Sequence, residues 1–201
     1  NTAYSNRGAA KAALKDYHGA INDFSKAIQI DPKNVPAYFN RGNTRRNLKN
    51  YQDAVNDYSK AIQYFPKYAA AYINRGITKA ALKDYHGAIA DYSIAIQINP
   101  NNDNAYINRG AAKAALKEYH SAIDDYSKII QIDPKSVPAY FNRGNTRRLK
   151  NYQDAIDDYS KAIQYFPNYA AAYVNRGITK ADLKDYQGAI VDLSKAIEID
   201  T

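Results

Sequence analysis

Small and apolar residues recur along the chain at helical spacing in short stretches, and polar turn residues interrupt them at regular places. From Val35 to Leu48 this pattern predicts a first helix, A, with Pro36 accommodated in its opening turn. Ala54, Tyr58 and Ala61 then share one stripe at i, i+4 and i+7, which predicts a second helix, B, stopped by Pro66. Gly42 and Tyr38 of helix A face that alanine-rich stripe, where small residues let two helix axes approach closely. Asn50 stands just before Tyr51, as Asp16, Asp84, Glu118, Asn151 and Asp185 stand before their own tyrosines. Five of these six are good N-cap residues for helix B, and Glu118 is the weak one.

The pair of helices repeats. Moved back 34 residues, Tyr72, Asn74, Arg75, Gly76, Leu82, Tyr85, Ala88, Tyr92, Ala95 and Pro100 fall on Tyr38, Asn40, Arg41, Gly42, Leu48, Tyr51, Ala54, Tyr58, Ala61 and Pro66. There are six copies, at residues 1–34, 35–68, 69–102, 103–136, 137–169 and 170–201. A period in this range predicts a solenoid in which each unit buries its apolar face by stacking on its neighbours. The expectation is one elongated all-α domain over residues 1–201, with twelve antiparallel helices and no strand.

The unit resembles the tetratricopeptide repeat, a 34-residue helix-turn-helix with characteristic residues at set places. Here these are Tyr38, Gly42, Tyr51, Ala54, Tyr58 and Pro66, and the other copies match with few departures. The departures are Tyr for the family's usual Trp in all six copies, Arg before the glycine, and Leu193 where the last copy should carry an aromatic. The resemblance implies a right-handed superhelical α-solenoid that acts as a non-catalytic scaffold. Its helices A would line a concave groove for an extended peptide or a partner protein, without cofactor.

One asparagine per copy lies on helix A: Asn6, Asn40, Asn74, Asn108, Asn142 and Asn175. The sequence is similar to the asparagine-ladder members of the family, in which side-chain amides hold a peptide backbone. An amide offers both donor and acceptor, so it matches a peptide group without reading its side chain. Stacked helices lie about 8 to 10 Å apart and an extended peptide rises about 3.3 Å per residue, so each Asn would serve about every third ligand residue. The competing expectation is that these amides cross-link or cap neighbouring helices.

Before each Asn stands a variable and mostly apolar residue: Ser5, Phe39, Ile73, Ile107, Phe141 and Val174. Three residues after each Asn come Ala9, Asn43, Ile77, Ala111, Asn145 and Ile178, beside it on the helix. Variation inside a constant frame is where specificity would reside. The chaperone-tail members of the family hold a terminal carboxylate with Lys, Asn and Arg at these places, a set this chain lacks. Arg46 and Arg148 remain as isolated cations that would select an acidic ligand residue.

A second period overlies the first. Residues 35–66 and 137–167 are the same except for Ile156, Asp157 and the loss of one Asn, so copies one to three recur as copies four to six. The lost residue is Asn47, missing between Arg148 and Leu149. Removing one helical residue turns the rest of the helix by about 100°. Since Leu149-Lys150-Asn151-Tyr152 is intact, helix A of copy five should end early and tighten around residues 146–150.

Composition changes this picture little. Twenty tyrosines and no tryptophan make phenol rings the large packing units, each needing water or a polar partner for its hydroxyl. The chain has no cysteine, hence no disulfide, thiolate chemistry or cysteine metal site. No apolar run approaches a membrane span. A formal charge of +8 and a pI of 9.4 raise single-stranded nucleic acid as an alternative ligand. Against it, Arg7, Arg41, Arg75, Arg109, Arg143 and Arg176 are each followed 15 or 16 residues later by Asp23, Asp57, Asp91, Asp125, Asp158 or Asp192. Such matched pairs are better explained as bridges between helices A and B. His18, His86 and His120 lie a repeat or more apart, too far for a shared metal, and no phosphate-binding loop or nucleophile elbow occurs. Because the chain starts at a repeat boundary and lacks capping units, it reads as a piece of a longer protein whose ends should expose apolar surface and favour end-to-end stacking.

Overall fold

The computed structural model describes residues 1–200. Among them are twelve α-helices and no strand. They are α1 (Thr2–Ala13), α2 (Tyr17–Ile30), α3 (Val35–Asn47), α4 (Tyr51–Tyr64), α5 (Ala69–Ala81), α6 (Tyr85–Ile98), α7 (Asp103–Ala115), α8 (Tyr119–Ile132), α9 (Val137–Arg147), α10 (Tyr152–Tyr165), α11 (Ala170–Asp182) and α12 (Tyr186–Asp200). Odd-numbered helices are the helices A and even-numbered ones the helices B. The chain forms two compact units, Asn1–Ala105 and the part from Tyr106 onward, a division beside the boundary between copies three and four.

Within each unit the core is built from the predicted stripe of helix B. Ala54, Tyr58 and Ala61 are fully buried in the first unit, and Ala155, Tyr159 and Ala162 in the second. Gly42 is required by this packing. A Cβ there would lie 2.8 Å from Cε1 of the Tyr58 ring, so the ring occupies the space any side chain would need. In the last copy Leu193 replaces the aromatic, and a Cβ on Gly177 would meet its Cγ at 3.0 Å.

The A-to-B turn is closed by the backbone. In copy two Lys49 N–H donates to Arg46 O and Asn50 N–H to Arg45 O, both at 2.9 Å, which requires Lys49 in the left-handed region at φ 61°. Lys15, Lys83, Lys117 and Lys184 repeat this conformation, and Lys150 does not. α9 has 11 residues where α3 has 13, and its end tightens through Leu149 N–H to Thr146 O and Lys150 N–H to Arg147 O. The early stop expected from the missing Asn is present, and its form is the loss of the left-handed lysine.

The caps agree with the sequence with one difference. Asp16, Asp84, Asn151 and Asp185 accept from the backbone N–H three residues on, and Glu118 makes no such bond. Asn50 makes none either, although its residue type suits the role. On α12 the apolar residues Ile190, Val191 and Ile197 are more than half exposed, whereas Ile62, which matches Ile197 in copy two, is 9% exposed.

Candidate ligand-binding face of helices A

Each of the six recurring arginines on helices A faces an aspartate of its own helix B; five are largely enclosed, and Arg7 on the first helix is more than half exposed. Arg41 grips Asp57 with Nε at 3.0 Å and Nη2 at 2.7 Å, and Arg45 adds a contact at 2.8 Å to the same buried carboxylate. Its remaining Nη1 reaches Ser25 Oγ on the preceding helix B at 2.9 Å, and that hydroxyl donates to Ile21 O. One guanidinium therefore ties its own hairpin together and fastens it to the hairpin before. Asp23, Asp91, Asp125, Asp158 and Asp192 are held by Arg7, Arg75, Arg109, Arg143 and Arg176 in the same way, each with Nη2–Oδ1 of 2.6 to 2.7 Å. A second cation, four residues after the first, serves each carboxylate: Lys11, Lys79, Lys113, Arg147 and Lys180. The tyrosine that replaces the family's usual Trp lies under this guanidinium, as Tyr38 does under Arg41 at 5.6 Å. The bridging role expected of these arginines is what the geometry shows.

Along the same helices the ladder asparagines fall into two kinds. Asn74 Nδ2 donates to Asn43 Oδ1 at 2.9 Å across α3 and α5, and Asn175 Nδ2 donates to Asn145 Oδ1 at 2.8 Å across α9 and α11. The same two acceptors receive the buried phenols, Tyr58 Oη at 2.8 Å and Tyr159 Oη at 2.9 Å. These two ladder amides are cross-links, the competing expectation. Asn40 and Asn142 differ: they are half-buried, and their side chains make no hydrogen bond among the described residues. Their main-chain carbonyls accept from Thr44 and Thr146, so the helix position is secured while the amide stays open. Asn6 is exposed and Asn108 is half-buried.

What separates the two kinds is the residue on the preceding helix A. Opposite Asn74 and Asn175 stand Asn43 and Asn145, which accept. Opposite Asn40 and Asn142 stand Ala9 and Ala111, which cannot. This signal was present in the sequence as the Asn found three places after the ladder position in copies two and five only.

The residues before the ladder positions are more enclosed than the sequence suggested. Ile73 is 9% exposed and belongs to the core, which corrects its assignment to a reachable face. Phe39 packs its ring 4.8 Å from Tyr68 and 5.9 Å from Tyr58, and Phe141 does the same with Tyr169 and Tyr159. Ile107 and Val174 are half-buried. Arg46 makes a single long contact, Nη1 to Asn74 Oδ1 at 3.4 Å, and no ion pair among the described residues. Arg148 instead pairs with Asp182 at 2.8 Å. Burial raises the phenols of this face, Tyr58 and Tyr159 being pushed up to about 12. His18, His86 and His120 are exposed, and no group of three metal-ligating side chains occurs among the described residues.

A tetratricopeptide repeat family model matches residues 2–34, 35–68, 69–102 and 104–136, and a second matches residues 147–200. No curated protein matches the sequence. Among solved structures, a tetratricopeptide repeat protein from Parabacteroides merdae is similar with a TM-score of 0.86 at 21% identity, over 98% of this chain and 78% of that one. MamA superposes with a TM-score of 0.72 at 22% identity, over 79% of this chain and 94% of its own. YrrB, described as a repeat protein of this kind with an unusual peptide-binding site, gives 0.69 at 22% identity over 88% and 91%. With the first four copies matched by one model and residues 147–200, in copies five and six, by another, the chain belongs to the tetratricopeptide repeat family.

Proposed function

We propose that the chain is a non-catalytic interaction scaffold whose helices A hold the backbone of an extended peptide or of an extended segment of a partner protein. The observation that carries this reading is the pair of open amides, Asn40 and Asn142, each beside an Asn whose acceptor is already saturated by a phenol and a neighbouring amide. Asn43 and Asn145 are thereby locked, and their Nδ2 donors, unused among the described residues, point to the same task as the open amides. YrrB, whose fold is similar, is described as having a peptide-binding site, in keeping with this use of the scaffold.

Single-stranded nucleic acid is the weaker ligand class. It needs recurring cations at the surface and stacked aromatics, and here the recurring arginines are engaged by buried aspartates while Tyr58, Tyr92, Tyr126 and Tyr159 of the helix B stripe lie in the core.

The test is retention of a random library of capped nine-residue peptides on the whole chain, against an Asn40→Ala, Asn142→Ala double variant. The double variant should lose most of the retained pool while melting at an unchanged temperature, since neither amide bonds to another of the described residues. Equal retention by both proteins, or retention of single-stranded DNA that falls steeply with salt in place of peptides, would sink the reading.

A further inference from the structure

The two near-identical segments 35–66 and 137–167 differ in what their groove cation meets. Arg148 lies at the end of α9, and its Nη2 and Nε reach Asp182 Oδ2 on α11 at 2.8 and 3.3 Å. The pair lines an open cleft of about 470 Å³ together with Asn145, Tyr159 and Tyr152, so the Asp182 carboxylate sits among the residues proposed to meet ligand. In the first unit Arg46 takes the place of Arg148, Asn43 that of Asn145 and Tyr58 that of Tyr159. The place of Asp182 on α5 belongs to Ala81. Arg46 is left with the weak contact to Asn74, and its charge acts on the phenols of Tyr58 and Tyr92, with no carboxylate among the described residues to balance it.

We infer that Arg46 forms a subsite for a ligand carboxylate in the first unit, in the position that Asp182 fills from within the protein in the second. The inference deepens the scaffold reading and rests on it: a peptide lying along helices A of the first unit is selected for a Glu or Asp side chain at Arg46. The equivalent place in the second unit is closed to acids by its own aspartate. A guanidinium can take a carboxylate through two parallel N–H donors, as Arg41 does with Asp57 elsewhere in this chain. The two halves of a duplicated scaffold thus differ in charge preference through one residue, Ala81 against Asp182.

The experiment is NMR of the ¹⁵N-labelled whole chain titrated with N-acetylglutamate amide, with N-acetylglutamine amide as the uncharged control. The Arg46 Nε–Hε resonance should shift with the acid and not with the control, and Arg148 should stay still. Ala81→Asp should abolish the Arg46 response, and Asp182→Ala should confer one on Arg148. Both substitutions fall at exposed positions, so the fold tolerates them. A still Arg46, an equal response to glutamine, or no gain at Arg148 in Asp182→Ala overturns the subsite. These outcomes are independent of peptide retention: library binding that survives beside a silent Arg46 leaves the scaffold and removes only the subsite. Loss of library dependence on Asn40 and Asn142 removes the scaffold reading itself.

Discussion

Arg143 and Asp158 form the same two-donor ion pair as Arg41 and Asp57, with Nη2–Oδ1 at 2.7 Å in both, although fifteen residues separate the first pair and sixteen the second. The missing residue lies between the partners, and the shortened end of α9 together with the rebuilt turn after it absorbs the difference, so the ion pair keeps its geometry. What is lost is the left-handed lysine of the other turns. A side chain in that region costs about 1 kcal/mol that glycine does not. Lys49→Gly should therefore stabilise the fold by up to about 1 kcal/mol, and Lys150→Gly should leave it unchanged or weaken it. Urea unfolding of the two variants checks this, and equal gains at both sites would contradict it.

The six aspartates predict a steep penalty for removing charge from the interior. Asp57 has 3% of its side chain exposed and faces both Arg41 and Arg45. In Asp57→Asn two guanidinium groups remain close together without a counter-charge, and the loss should be about 3 kcal/mol or more. Ser25→Ala removes a single neutral acceptor from Arg41 and should cost about 1 kcal/mol. The order of their urea midpoints is the measurement.

Stability should fall at both ends of the pH scale, for opposite reasons. A hydrogen bond from Arg7 holds the Asp23 carboxyl well below its usual range. At Asp192 burial pushes the carboxyl up, yet hydrogen bonds from Arg176 and Lys180 outweigh it and leave it low. Groups lowered in the folded state contribute fully above the ordinary carboxylate value of about 4, and their contribution fades as pH drops toward their native values. Burial raises Tyr58, Tyr126 and Tyr159 to about 12. Their contribution is complete below the ordinary phenol value of about 10 and is lost as pH climbs from there through 12. Melting temperatures should form a plateau between these limits, with phenolate absorbance rising late and together with unfolding.

Gly42→Ala sets helix propensity against space. Alanine in a helix interior gains about 1 kcal/mol over glycine, but here its Cβ would sit 2.8 Å from a ring that is fully buried and anchored by its hydroxyl to Asn43. Overpacking of that kind costs about 1 to 3 kcal/mol, so the net effect should be destabilising. Gly177→Ala meets a leucine at 3.0 Å instead of a ring and should be milder, as paired thermal melts would show.

Much of the architecture was legible because it depends on residues recurring at fixed spacing. The helix pairs and the partnership of each arginine with its aspartate repeat with the unit, and a matched pair present in every copy has one economical explanation; the early end of α9 shows as the single break in that period. The capping of Asn50 was not legible, because Asn50 and Asn151 are the same residue type and only Asn151 accepts the bond; Asp16 caps at φ −76°, close to the −78° of Asn50, so neither residue type nor that angle alone decides it.

The ladder shows the same division most clearly. The sequence by itself determined that one amide per copy lies on helix A, since that comes from a period of 34 residues and a helical turn. Which of those amides stay open was settled by packing, which lays the Asn three places after the ladder position in copies two and five against the next helix A, where a side-chain amide bonds what its neighbour offers. Asn74 and Asn175 meet another asparagine and close, while Asn40 and Asn142 stand opposite alanine and remain free to bond. The charge of the groove was decided in the same way: Arg46 and Arg148 are equivalent in sequence, and the difference between them lies on the next helix A, where Ala81 takes the place of Asp182, the carboxylate that Arg148 meets at 2.8 Å.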